Sequence, residues 1–177
     1  MNSNPLKRIW LVYQASRDAL KVTKQTITHD DKEILLFRTT FESQNPIEAK
    51  QIIEDSLKEV EDLFVLSLWS TYERFVRNYL QRKGTTLQMT QPQALAYPIY
   101  DYFCDEVEFW KSNQILDLLK KSLFTNNSHL IGKAKQILTY RDWVAHGKNP
   151  NKYPSSNITA RFAYKVLNEI VETLLLN

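Results

Sequence analysis

The amino-acid sequence predicts a mainly α protein: an antiparallel helical bundle with a small β-hairpin after the first helix. Three observations carry that expectation. Apolar residues recur every three or four positions over most of the chain. Three glycines and six prolines in 177 residues are too few for the many tight turns of a sandwich or barrel. One stretch, residues 25–41, departs from the helical pattern and is rich in Thr, Ile and Phe. At this length a single domain over 1–177 is expected, long enough to bury one sizeable core.

The first helix is expected over about 5–22, because Leu6, Ile9, Trp10, Tyr13 and Leu20 share helical spacing behind Asn4 and Pro5. Segments 25–28 and 33–41 read as two short strands, with the polar His29, Asp30, Asp31 and Lys32 as the turn between them. Asn45 and Pro46 then mark a helix start, and apolar positions continue to Leu80 before Gly84 closes the pattern. A rod of that length, about 57 Å, invites a bend or a break. A loop over 84–93 precedes an aromatic-rich helix over 94–110 that contains Pro98, a residue suited to a first turn or a kink. Ser112 is the expected cap of a helix through Phe124. Residues 126–128 read as a turn, and the next helix runs from Leu130 to an end near His146 and Gly147. After a loop over 148–157 with Pro150 and Pro154, a last amphipathic helix carries Phe162, Val166, Leu167, Ile170, Val171 and Leu174.

Composition excludes several function classes. The longest strongly apolar run, 63–69, falls far short of the roughly 20 residues that a membrane-spanning helix needs, and Lys7, Arg8, Arg17 and Asp18 interrupt any leader-like apolar core. A cytoplasmic protein with no membrane association is expected. The lone Cys104 sits among Tyr102, Phe103 and Val107, which suits a packed thiol better than a nucleophile. His29, His129 and His146 are far apart and no Cys-x-x-Cys or His-Glu-x-x-His spacing occurs, so no metal site and no cofactor are expected. Asp105 and Glu108 lie one helical turn apart, yet a solvated face explains them. Glycine-rich phosphate loops are missing, which speaks against kinase, P-loop and dinucleotide enzymes.

Charge is unevenly distributed. Residues 111–165 hold ten lysines and arginines against only Asp117 and Asp142. Such a half reads either as a phosphate-attracting surface or as solvated helix faces.

One constellation then stands out: Tyr140, Arg141, Asp142, Trp143, Val144, Ala145, His146 and Gly147 at the end of a helix. Arg141 is permanently cationic with a fork that matches phosphate oxygens, and an imidazole exchanges a proton near neutral pH. Cleavage of RNA by its own 2′-hydroxyl requires those two functions, proton transfer and stabilisation of charge on five-coordinate phosphorus. The plain structural alternative is an arginine paired with Asp142 and a histidine capping the helix.

This stretch resembles the Arg-x4-6-His signature of the HEPN superfamily, in which a polar residue follows the Arg and a small residue precedes the His. Arg141, Asp142, Ala145, His146 and Gly147 match, with Asp142 standing where Asn is commoner. The motif also lies late in a helical pattern just before a final helix, as in that family. Residues 66–80 are similar to the family's central helix with its inward polar residue, for which Glu73 is the candidate. The resemblance extends over about 46–176 and leaves the hairpin region outside.

It implies a metal-independent endoribonuclease, of the kind found in toxin–antitoxin and antiphage systems, that leaves a 2′,3′-cyclic phosphate and a 5′-hydroxyl. It further implies a homodimer with the active site at the dimer interface, and leaves room for a cognate antitoxin protein. In that reading His146 is the acid or base, Arg141 stabilises the transition state, Asp142 orients either of them, and Glu73 supports the motif from the neighbouring helix. Lys133, Lys148 and Lys152 would guide the RNA backbone, and Trp143 either stacks on a base or serves as a packing contact. The alternative is a non-catalytic helical module that binds a partner protein or a nucleotide.

Overall fold

The computed structural model describes residues 3–177. Among them the regular structure is helical throughout: α1 (Leu6–Thr26), the single turn α2 (Lys32–Leu35), α3 (Pro46–Lys83), α4 (Gln93–Phe109), α5 (Ser112–Lys121), α6 (Ser128–Ala145) and α7 (Ala160–Leu176), with short 3₁₀ turns at Gly84–Met89, Thr125–Asn127 and Pro150–Lys152.

The organising element is α3, an unbroken helix of 38 residues. Asn45 starts it, its side-chain oxygen accepting from the amides of Ile47 at 3.0 Å and Glu48 at 2.9 Å, while Pro46 loses no intrahelical bond in the first turn. A helix this long holds together because its middle is buried. Val65, Leu68, Trp69, Tyr72, Phe75 and Val76 are all at most 1% exposed, and each such side chain contributes about 1.5–3 kcal/mol through burial. Helices α1, α6 and α7 cover that stripe, with Tyr13, Ile131, Ile137, Leu167 and Ile170 in the same core. The expected break is therefore not needed.

The β-hairpin over 25–41 does not form. The chain there continues α1 through Thr26 and turns into α2, with Leu35 and Leu36 donating to the carbonyls of Asp31 and Lys32 at 3.1 and 2.8 Å. An isolated two-stranded hairpin is marginal in water. Here the first turns of α3 offer an apolar wall instead, and Ile27, Leu36, Ala49 and Ile53 close on one another in a small second core. The β-branched residues suit a strand by local preference, but burial against a helix is what they serve.

Smaller boundaries also move. Ser112 does not cap α5: its hydroxyl donates to Glu73 at 2.8 Å, and the α5 start is held by Gln114 accepting from the Lys111 amide at 2.8 Å. That helix ends at Lys121, before Phe124, which folds back into the main core. Pro98 lies inside α4, away from the first turn.

Gly84 links α3 to the 3₁₀ turn before α4, and a Cβ there would collide with the ring of Phe103 on α4. Gly84→Ala is accordingly expected to lower stability by about 1–3 kcal/mol in urea denaturation. An unchanged midpoint would show that the Phe103 ring is free to swing away.

Candidate functional site

The end of α6 is built by its own backbone. Gly147 has φ +81° and Lys148 has φ +56°, both left-handed, so the helix cannot continue. The Gly147 amide donates to Val144 at 3.2 Å and the Lys148 amide to Trp143 at 2.9 Å, the paired bonds of a Schellman close. His146 is the cap residue itself and is exposed. The chain then curls back over Trp143, whose indole N–H donates to the Asn149 carbonyl at 2.8 Å and whose ring meets Tyr153 edge-on at 4.9 Å. Asn149 caps the turn Pro150–Lys152.

This reversal creates a cleft of about 320 Å³ lined by Thr139, Asp142, Trp143, His146, Asn149 and Lys152. The structure thus brings together His146, Asp142, Trp143 and Lys152 from the expected set. Arg141 stands beside the cleft, outside its lining. Its Nη1 donates to Asp142 Oδ1 at 2.8 Å, and its Nε is shielded from solvent without a protein acceptor. Asp142 therefore couples the guanidinium to the wall on which His146 sits.

The other expected residues lie elsewhere or are engaged. Lys133 is exposed on α6, two turns before Arg141, and outside the cleft lining. Lys148 forms ion pairs with Glu59 at 2.5 Å and Asp62 at 2.8 Å, which neutralise it as a guide for a phosphate backbone. Glu73 does not support the motif. It accepts from Arg77 at 2.7 Å, Ser112 at 2.8 Å and Trp69 at 3.1 Å, and so ties α3 to the junction of α4 and α5. Along α3 it lies 11 residues, about 16 Å, from Asp62, the α3 residue that contacts the motif end of α6.

The residues that do brace the motif are not among those singled out by sequence pattern. Asp62 is 2% exposed and accepts from the Tyr140 hydroxyl at 2.6 Å while pairing with Lys148, so one carboxylate grips α6 both before and after its end. Burial first, and then the Asp62 bond, push the Tyr140 phenol well above its ordinary titration. A signal for this is present in the chain, since Asp62, Val65, Trp69, Tyr72 and Val76 share one helical stripe and an acid inside it asks for a buried partner. Asp62 also lines a neighbouring cleft of about 430 Å³ with Glu61, Tyr140, Trp143 and Ile158.

Of the ten basic residues between 111 and 165, Lys135 pairs with Asp117, Arg141 with Asp142 and Lys148 with Glu59 and Asp62. The fold thus removes part of the basic surface that the linear count suggests. Among the described residues no group of three His, Cys, Asp or Glu side chains could hold a metal ion, and no described helix is long and apolar enough to cross a membrane. Compared with known proteins, the chain matches no family model, no curated protein and no solved structure.

Asp62→Asn keeps the shape but removes the charge that holds Lys148, and is expected to cost about 1–3 kcal/mol in chemical denaturation. Equal stability of the two proteins would show that the brace carries no weight. For Glu73, burial raises the carboxyl pKa, but the bonds from Arg77, Ser112 and Trp69 outweigh it and hold it below the usual range. A depressed carboxylate stabilises the fold above its unfolded value of ~4.3 and loses that contribution as pH falls through the folded value. Glu73→Gln should thus be less stable by about 1–3 kcal/mol at neutral pH, with the gap to wild type closing in acid. A gap that stays constant down to strongly acidic pH would contradict this assignment.

Proposed function

We propose that this protein is a metal-independent endoribonuclease of the HEPN type, acting as a homodimer, in a toxin–antitoxin or antiphage setting where a cognate antitoxin protein restrains it. The observation that carries this reading is the exposed His146 on the lip of a cleft that also presents Asp142 and Lys152, with the Arg141 guanidinium anchored to the same wall through Asp142. RNA is the substrate class because the arrangement supplies proton transfer and a cation that binds phosphate, and the nucleophile can come from the substrate's own 2′-hydroxyl.

In that mechanism an imidazole takes the 2′-hydroxyl proton and the oxygen attacks the adjacent phosphorus. The P–O5′ bond breaks, leaving a 2′,3′-cyclic phosphate, and the departing 5′-oxygen receives a proton. Arg141 stabilises the charge on the equatorial oxygens, helped by Lys152 at the cleft mouth. One chain offers one imidazole at the motif, so the second proton transfer falls to His146 of a second copy across a two-fold axis. Trp143, bonded to Asn149 and packed on Tyr153, forms the floor of the cleft and is not free to swing onto a base.

The pairing of Arg141 with Asp142, which leaves the guanidinium outside the cleft lining, favours a second reading: a non-catalytic helical module that binds a partner protein or nucleotide. One experiment separates the two. Labelled RNA incubated with intact protein in a metal chelator should be cut to cyclic-phosphate ends, and His146→Ala or Arg141→Ala should lower the rate by about 10² or more. Cleavage that survives His146→Ala, or that is lacking in the intact protein, rejects the nuclease and leaves the module.

A further inference from the structure

On the far side of the Glu61–Asp62 turn of α3, α1 and the start of α7 frame a separate cleft of about 440 Å³. Arg17 and Lys21 from α1 and Arg161 from α7 stand around it, so three cations from two helices meet at one depression. Asp18 is the one carboxylate among the described residues of its lining, and it reaches Lys21 at 3.4 Å. Neither Arg17 nor Arg161 has a carboxylate partner among the described residues, in contrast to Arg74, Arg77 and Arg141. Three cations against the single carboxylate of Asp18 leave the two arginines uncompensated, which an anion would relieve, and arginine forks suit phosphate oxygens.

The floor of this cleft is rigid. Trp10 is stacked on Tyr164 at 4.6 Å and on Tyr13 at 5.1 Å, and the Tyr13 hydroxyl donates to Glu61. The rings are thus already engaged with one another, so the cleft is built to hold a phosphate more than to stack a base. Both guanidinia lie near enough to the Tyr13 phenol to oppose the upward push of its burial and of Glu61.

The place of the cleft supplies its partner. Trp143 is shared by the His146 cleft and the middle cleft, and Glu61 on the wall of the middle cleft is bonded to Tyr13 on the wall of this one. Thr159 in the middle cleft is followed two residues later by Arg161. The three depressions are therefore successive neighbours, the first two sharing Trp143 and the last two joined through the Tyr13–Glu61 bond.

We infer that the Arg17, Lys21 and Arg161 cleft is a second phosphate subsite, gripping a backbone phosphate of the single-stranded polynucleotide whose neighbouring segment lies at His146. This inference rests on the nuclease reading for the identity of the strand, yet binding can be measured without cleavage. A fluorescent single-stranded 2′-deoxy oligonucleotide lacks the attacking hydroxyl and reports binding alone, by anisotropy over a salt series with the full chain.

The double variant Arg17→Ala with Arg161→Ala should bind it about tenfold or more weakly, with a salt slope shallower by about 1.4, the single-strand value for two lost phosphate contacts. Both side chains are exposed and unpaired, so melting temperature should not change, and the double Lys variant should restore the slope. Equal affinity and equal slope in the Ala variant overturn the subsite. Loss of uridine monophosphate binding with the oligonucleotide unaffected assigns the cleft to a free nucleotide and also overturns the inference. If the slope changes as expected while a ribo-oligonucleotide remains uncut by the intact protein, the subsite stands and only the nuclease reading falls.

Discussion

Coverage of the apolar stripe on α3 is the constraint to which every other element answers. Val65, Trp69, Tyr72 and Val76 repeat at three- and four-residue spacing, and no isolated helix could leave them in water. Three helices, α1, α6 and α7, close over the stripe between Asp62 and Tyr79. The first turns of α3, with Ala49 and Ile53, are shielded by Leu20 near the end of α1 and by Ile27 and Leu36 of the segment that follows it. One long helix thus explains both cores.

Two adjacent carboxylates at the edge of that stripe fasten the covering helices in place. Asp62 receives Tyr140 and Lys148, which fixes α6 and the loop beyond it. Glu61 receives Tyr13 from α1 and the Ala160 amide at 2.8 Å, where α7 begins. Because the two carboxylates lie side by side, the clefts of His146 and of Arg17 with Arg161 fall on opposite sides of one seam. On that seam Asp62 is ion-paired with Lys148, whereas Glu61 is met only by neutral donors, the Tyr13 hydroxyl and the Ala160 amide.

Much of the helical order is legible in the chain. Asn45 with Pro46 marks the start of α3 to the residue, Gly147 marks the close of α6, and the wide apolar face of α7 identifies that helix. The hairpin expectation fails because β-branched residues fit either a pleated surface or a helix-covered pocket, and local pattern does not say which surface is near. Resemblance of its helix puts Glu73 at the motif, although its partners Arg77, Ser112 and Trp69 belong to another junction. A linear count of charge likewise overstates the basic surface, since Glu59 and Asp62, some ninety residues before Lys148, approach it only after folding.

By itself, then, the sequence determined the class of fold, the main helices and the stretch in which the candidate chemistry lies. Periodicity, caps and left-handed glycines are local properties, and each is complete within a few residues. Tertiary structure alone decided that Glu59 and Asp62 neutralise Lys148, that Lys152 and not Lys148 shares the histidine's cleft, and that Arg17 and Arg161 converge. Those outcomes depend on side chains far apart in the chain meeting in space, and on which charges find partners when they do.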